Sequence, residues 1–112
     1  MTPVNVVDRQ LEAYNARDLD RFVAEYSDTI TVCRLPAAEP AIVGKIRFAE
    51  FYATQRFNLP QLHAEIVNRI VLGNKVIDHE RISGVQPAPL EMVVIYEVAD
   101  SLIQRVWSLR PA

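Results

Sequence analysis

The apolar period of this chain changes once, near its midpoint, and that change constrains the fold more than any other feature. Before Pro60 the large apolar residues recur at three- and four-residue steps: Val4, Val7, Leu11 and Tyr14, then Leu19, Phe22, Val23 and Tyr26, and later Phe48, Phe51 and Tyr52. Such stripes predict amphipathic helices. Beyond Pro60 the period drops to about two over 62–72, 75–83, 91–98 and 102–109, which predicts consecutive strands. Gly73-Asn74, the stretch from Gly84 to Pro89, and Asp100-Ser101 separate them as turns. Helices first and strands afterwards predict an α+β protein whose three helices pack on one face of a curved, mostly antiparallel sheet.

Local signals set the boundaries. Thr2 before Pro3 reads as an N-cap followed by a first helical residue with a preset φ. Asn15-Ala16-Arg17-Asp18 interrupts the first stripe, and Asp18 caps a short second helix. The β-branched run Thr29-Ile30-Thr31-Val32-Cys33 predicts a strand, Leu35 to Gly44 a loop punctuated by Pro36 and Pro40, and 46–57 a third helix.

With 112 residues the chain is expected to form one domain, 1–112. Twelve Lys and Arg against fourteen Asp and Glu, scattered along the chain, argue against a nucleic-acid binder, which needs a basic excess or stripe. No apolar run approaches the roughly 20 residues of a membrane span, and Met1-Thr2-Pro3-Val4-Asn5 lacks the features of a signal peptide, so a cytoplasmic location is expected. The single cysteine, Cys33, excludes an internal disulfide and reads as a small buried hydrophobe. Asp78-His79-Glu80 is a poor metal site because adjacent strand residues point to opposite faces, and no metal or cofactor is expected.

Several short segments, in order, resemble the nuclear transport factor 2-like superfamily, which includes ketosteroid isomerases, SnoaL-like polyketide cyclases and limonene epoxide hydrolases. They are Tyr14 to Asp20, Tyr26-Ser27-Asp28, Glu39-Pro40 with Gly44, Gly73-Asn74-Lys75-Val76, His79-Glu80-Arg81, Tyr96-Glu97-Val98, and Ile103 to Trp107. The resemblance implies a cystatin-like cone in which sheet and helices enclose an apolar pocket. A fold shared by enzymes, binders and interaction modules does not fix a function.

The resemblance can be tested residue by residue. At the positions where ketosteroid isomerases carry a basic aspartate, a tyrosine donor and a protonated aspartic acid, this chain has Arg34, Gln10 and Val94, so that mechanism is lost. Tyr14, one helical turn past Gln10, is a substitute donor. The limonene epoxide hydrolase strand is matched by Glu80-Arg81-Ile82-Ser83, with Ser83 and Ser108 in place of its two acids, and serine has no acidity suited to a general base. SnoaL-like cyclases need mainly one acid-base group, for which Asp78, His79 and Glu80 are candidates. Alternation puts Asp78 and Glu80 on one face of their strand and His79 and Arg81 on the other. The Glu-Arg match favours His79 and Arg81 inside.

Tyr14, Arg34, Arg81, Tyr96 and Ser108 are accordingly the expected ligand-binding residues. If both Arg34 and Arg81 point inward, a small apolar ligand with an acidic group is expected to compensate them. The competing expectation leaves Arg34 at the pocket mouth and pairs Arg81 with an acid outside. Tyr14, Tyr26, Phe48, Phe51 and Tyr52 also fit a purely structural core, and His63 an exposed position. Trp107, Val93 and Ile95 fall on the outer sheet face and predict a homodimer. The leading functional expectation is a small-ligand-binding domain without recognisable isomerase or hydrolase residues. The alternative is an isomerase- or cyclase-type enzyme using His79 or Glu80.

Overall fold

A computed structural model of the chain describes residues 2–111. Helix α1 (Pro3–Asn15) begins where Thr2 Oγ1 accepts the Asn5 amide at 3.2 Å, and α2 (Leu19–Val23) where the Asp18 carboxylate accepts the Arg21 amide at 3.2 Å. Strand β1 spans Tyr26–Arg34, β2 Ile42–Val43, helix α3 Lys45–Gln55, and strands β3 to β6 are His63–Leu72, Lys75–Ser83, Leu90–Ala99 and Leu102–Leu109. The six strands form one sheet in the order β2-β1-β6-β5-β4-β3, antiparallel except for the β1–β6 pair. Helix α1 crosses β3 to β6, and α3 packs on β1 and β2. The α+β arrangement expected from the change of period, with helices packed on a mostly antiparallel sheet, is the observed architecture. No described helix is long and apolar enough to cross a membrane.

The differences from expectation have tertiary causes. Tyr26, expected at the end of the second helix, opens β1 because it pairs in parallel with Ile103 and is 2% exposed. The two-residue β2 lies inside the expected loop, where Ile42 and Val43 pair with Val32 and Thr31; two residues are too few to show alternation. The buried face of α1 is centred on Val6, Val7, Gln10, Ala13 and Tyr14, with Val4 and Leu11 at its margin.

Cross-strand register sorts the sheet into two faces. Val76, Tyr96, Val106, Val32 and Ile42 lie opposite one another in an inner row under the helices, which the exposed Val71 continues at the sheet edge. Ile70, Ile77, Ile95, Trp107 and Cys33 form the neighbouring outer row. Aromatic side chains from α2, α3 and the start of β1 fill the space above the inner row, with Tyr26–Phe48 and Phe22–Tyr52 centroids 4.3 and 4.7 Å apart. Gly84 (φ 89°) sits against the Gln61 backbone so closely that a Cβ has no room, which fixes how β4 meets the chain entering β3.

Candidate functional site

Strand β4 decides the chemistry of the interior. Its burial alternates strictly, with Val76, Asp78, Glu80 and Ile82 inward and Ile77, His79, Arg81 and Ser83 outward. The expectation that His79 and Arg81 face the pocket is therefore corrected. Val76 and Ile82 share the acids' face, and burying these two apolar residues under the helices carries Asp78 and Glu80 inside with them. Outside, Arg81 donates to Glu65 at 3.2 Å and to Glu91 at 2.9 Å, and His79 lies 3.5 Å from Glu91. The Arg81 guanidinium, with a smaller part from the His79 contact, holds the Glu91 carboxyl below its ordinary range. Arg81 thus satisfies its charge on the surface, and the expectation that Arg34 and Arg81 share one cavity does not hold.

The two inward acids have different surroundings. Asp78, fully buried, takes a two-pronged contact from Arg69 at 2.6 and 2.9 Å, and the same guanidinium reaches Asp8 on α1 at 2.7 Å. This is a satisfied ion-pair network that ties β3, β4 and α1 together. Glu80, 5% exposed, has no cation in contact among the described residues. Its Oε2 accepts the Tyr96 hydroxyl at 2.9 Å. Behind it runs a polar relay: Gln10 Nε2 donates to the Tyr96 hydroxyl oxygen at 3.3 Å, and the Tyr26 hydroxyl donates to Gln10 Oε1 at 2.8 Å. Burial dominates the Glu80 carboxyl and pushes its pKa from 4.5 up to about 7; the Tyr96 hydrogen bond pulls the other way, and the Asp78 charge adds to the rise.

Glu80 borders a cavity of about 80 Å³ whose walls include Gln10, Tyr14, Tyr26, Tyr52, Val94 and Tyr96. Burial raises the pKa of each of these tyrosines, to about 12 for Tyr52, so all remain O–H donors at neutral pH. Arg34, Phe51, Arg56, Ser108 and Arg110 line both this cavity and a wider space of about 540 Å³ beside it, its mouth. Of the five expected ligand-binding residues, Tyr14, Arg34, Tyr96 and Ser108 border this cavity, with Arg34 exposed at its mouth, and Arg81 does not. Gln10, Arg34 and Val94, the residues at the ketosteroid-isomerase positions, are among its lining as well. Sequence reasoning missed Arg56 and Arg110 at the mouth, which no local pattern marks. It also took Gln10 only as a lost donor, although a glutamine within the buried stripe of a helix was a signal that a polar partner waits inside. No group of three or more His, Cys, Asp or Glu suited to a metal ion occurs among the described residues.

The sequence agrees with the model of one family, the SnoaL-like domain, over residues 7–106. The chain belongs to the SnoaL-like domain family. No curated protein matches it significantly. Solved structures of similar fold include a cystatin-fold protein from Novosphingobium aromaticivorans, 24% identical, with 98% of this chain and 99% of that one covered and a TM-score of 0.85. The Δ5-3-ketosteroid isomerase from Mycobacterium sp. is 19% identical, with 96% and 92% covered and a TM-score of 0.83. A computationally designed 17-OHP binder is 12% identical, with 96% and 91% covered and a TM-score of 0.83. At these identities the likeness of this SnoaL-like domain to the three is one of fold.

Proposed function

We propose that this SnoaL-like domain is an acid–base enzyme that moves a proton on a small, largely apolar, enolisable substrate, in an isomerase- or cyclase-type reaction with Glu80 as the proton carrier. The observation that carries the reading is a buried carboxyl with a pKa of about 7 bordering an aromatic cavity. A general acid–base works best when its pKa lies near the ambient pH, because both protonation states are then populated. In the proton-transfer step the Glu80 carboxylate takes a proton from a carbon next to the substrate carbonyl and becomes the acid. The electron pair left behind delocalises onto the carbonyl oxygen. A tyrosine O–H on the cavity wall, Tyr14 or Tyr52, supplies the hydrogen bond to that developing charge. The acid then returns the proton at a second carbon. In a ring closure the enolate carbon instead adds to a second carbonyl carbon of the substrate, the π pair of that carbonyl moves to its oxygen, and the oxygen takes the proton. Glu80 is regenerated in either case. Tyr96 holds the carboxyl in one orientation, and Gln10 and Tyr26 hold Tyr96.

A second reading, ligand binding without chemistry, is favoured by Gln10, Arg34 and Val94 at the ketosteroid-isomerase positions. Deuterium wash-in separates the two. β-Tetralone and related enolisable ketones incubated with the protein in D2O are expected to exchange their α-protons faster than in buffer. The rate should follow a group of pKa near 7 and fall about 100-fold or more in Glu80→Gln. Saturable binding of the ketones with exchange no faster than buffer supports the second reading instead.

A further inference from the structure

The mouth of the cavity carries a charge pattern that the proton chemistry leaves unused. Arg34 at the end of β1, Arg56 just past α3 and Arg110 just past β6 come from distant parts of the chain and border both the cavity and its mouth. Of the seven other arginines, Arg9, Arg21, Arg69, Arg81 and Arg105 are in ion pairs with carboxylates, and Arg17 and Arg47, which have no such pair among the described residues, lie away from the mouth. Among the described residues the three at the mouth have no carboxylate partner, and no acidic residue lines the mouth. They gather there on a chain whose formal charge is −2. Two of them lean on one ring, with the guanidinium carbons of Arg34 and Arg56 lying 5.2 and 5.3 Å from the Phe51 centroid. Both guanidinium groups thus lie within cation–π reach of the same ring, and an oxyanion at the mouth offers them a counter-charge.

The size of the cavity supplies the second half of the inference. About 80 Å³ is well below the roughly 300 Å³ of a typical ligand pocket, so a substrate of more than a few heavy atoms extends into the arginine-lined mouth. We infer that the ligand is an amphiphile whose apolar body lies against the tyrosines and whose oxyanion head, a carboxylate, sulfonate or phosphate, is held at the mouth by Arg34, Arg56 and Arg110. This deepens the proposed function and rests on its claim that the cavity holds the substrate. Guanidinium groups suit such a head because they pair with planar or tetrahedral oxyanions through two parallel hydrogen bonds.

Two fluorescent probes with the same apolar body test the inference: 1-anilinonaphthalene-8-sulfonate, which carries a sulfonate, and N-phenyl-1-naphthylamine, which does not. Fluorescence titration of the folded chain is expected to give at least about tenfold tighter binding of the sulfonate. Arg34→Gln, Arg56→Gln and Arg110→Gln should each weaken it about threefold, with more than about tenfold lost in the triple variant, while the neutral probe is unchanged. Arg81→Gln, on the outer face, should leave both probes unchanged, and Glu80→Gln should leave the head-group preference intact. Equal binding of the two probes, insensitive to the three substitutions, overturns the inference but leaves the Glu80 reading standing. Equal loss of the sulfonate probe in Arg81→Gln also overturns it, because the attraction is then general surface charge. If neither probe binds, the inference falls together with the claim that the cavity is a ligand site.

Discussion

Replacing Glu80 by Gln is expected to make the protein more stable at alkaline pH while abolishing its activity, and the size of the gain follows from the site. The carboxyl is 5% exposed, and its pKa rises from 4.5 to about 7 on folding. Because the folded pKa lies above the unfolded one, the favourable contribution of the protonated group is complete below pH 4.5 and is lost as pH rises through 7. Between those values the unfolded chain has released the proton and the folded chain still holds it. At 1.36 kcal/mol per pKa unit, the full cost above pH 8 is about 3 kcal/mol. Glutamine keeps the shape and removes the ionisation. Urea unfolding of both proteins from pH 4 to 8.5 should therefore give a difference near zero at pH 4 that grows to about 3 kcal/mol in favour of Glu80→Gln. For a domain of this size that equals about 10 °C or more in Tm. Other titrating groups cancel in the difference. Tyr96→Phe, which removes the only donor to the carboxylate among the described residues, should move the midpoint of the pH dependence above that of the parent. A difference that is flat with pH, or that saturates by pH 5, refutes the claim that burial controls Glu80.

Two further perturbations probe the frame around the site. Arg69→Met leaves the fully buried Asp78 carboxylate without its cation and should cost about 3–5 kcal/mol in chemical denaturation; Asp8→Asn, which removes only the half-exposed partner, should cost under about 1 kcal/mol. We also propose that the outer row Ile70, Ile77, Ile95 and Trp107 is covered by a second copy of the chain, since burying each large apolar side chain contributes about 1.5–3 kcal/mol. Sedimentation equilibrium at micromolar concentration should give twice the 12.7 kDa chain mass, and Ile95→Asp should return it to one; a monomer at 100 µM, on the order of a weak dimer's dissociation constant, refutes this.

The sequence by itself determined the architecture. Thr2 with Pro3 and Asp18 marked the helix starts, and the change of period at Pro60 separated helices from strands, because these signals act within a few residues of chain and need no distant partner. Strands β3 to β6 fall within a residue of their expected bounds for the same reason. Tertiary structure decided what the alternation of β4 left open. One face of that strand holds two acids and the other a histidine and an arginine, and both are polar enough for solvent and interesting enough for a pocket. Only the packing of Val76 and Ile82 beneath α1 and the aromatic cluster, together with the Arg69 contact to Asp78, turned Glu80 inward and left Arg81 to Glu65 and Glu91. Tyr26 likewise took its strand conformation from Ile103, 77 residues away in sequence. Of the arginines at the mouth, Arg34 was legible through the family resemblance, whereas Arg56 and Arg110 were not: the three meet only where the ends of β1, α3 and β6 converge, and a charge pattern assembled from three distant points leaves no mark on any local stretch of the chain.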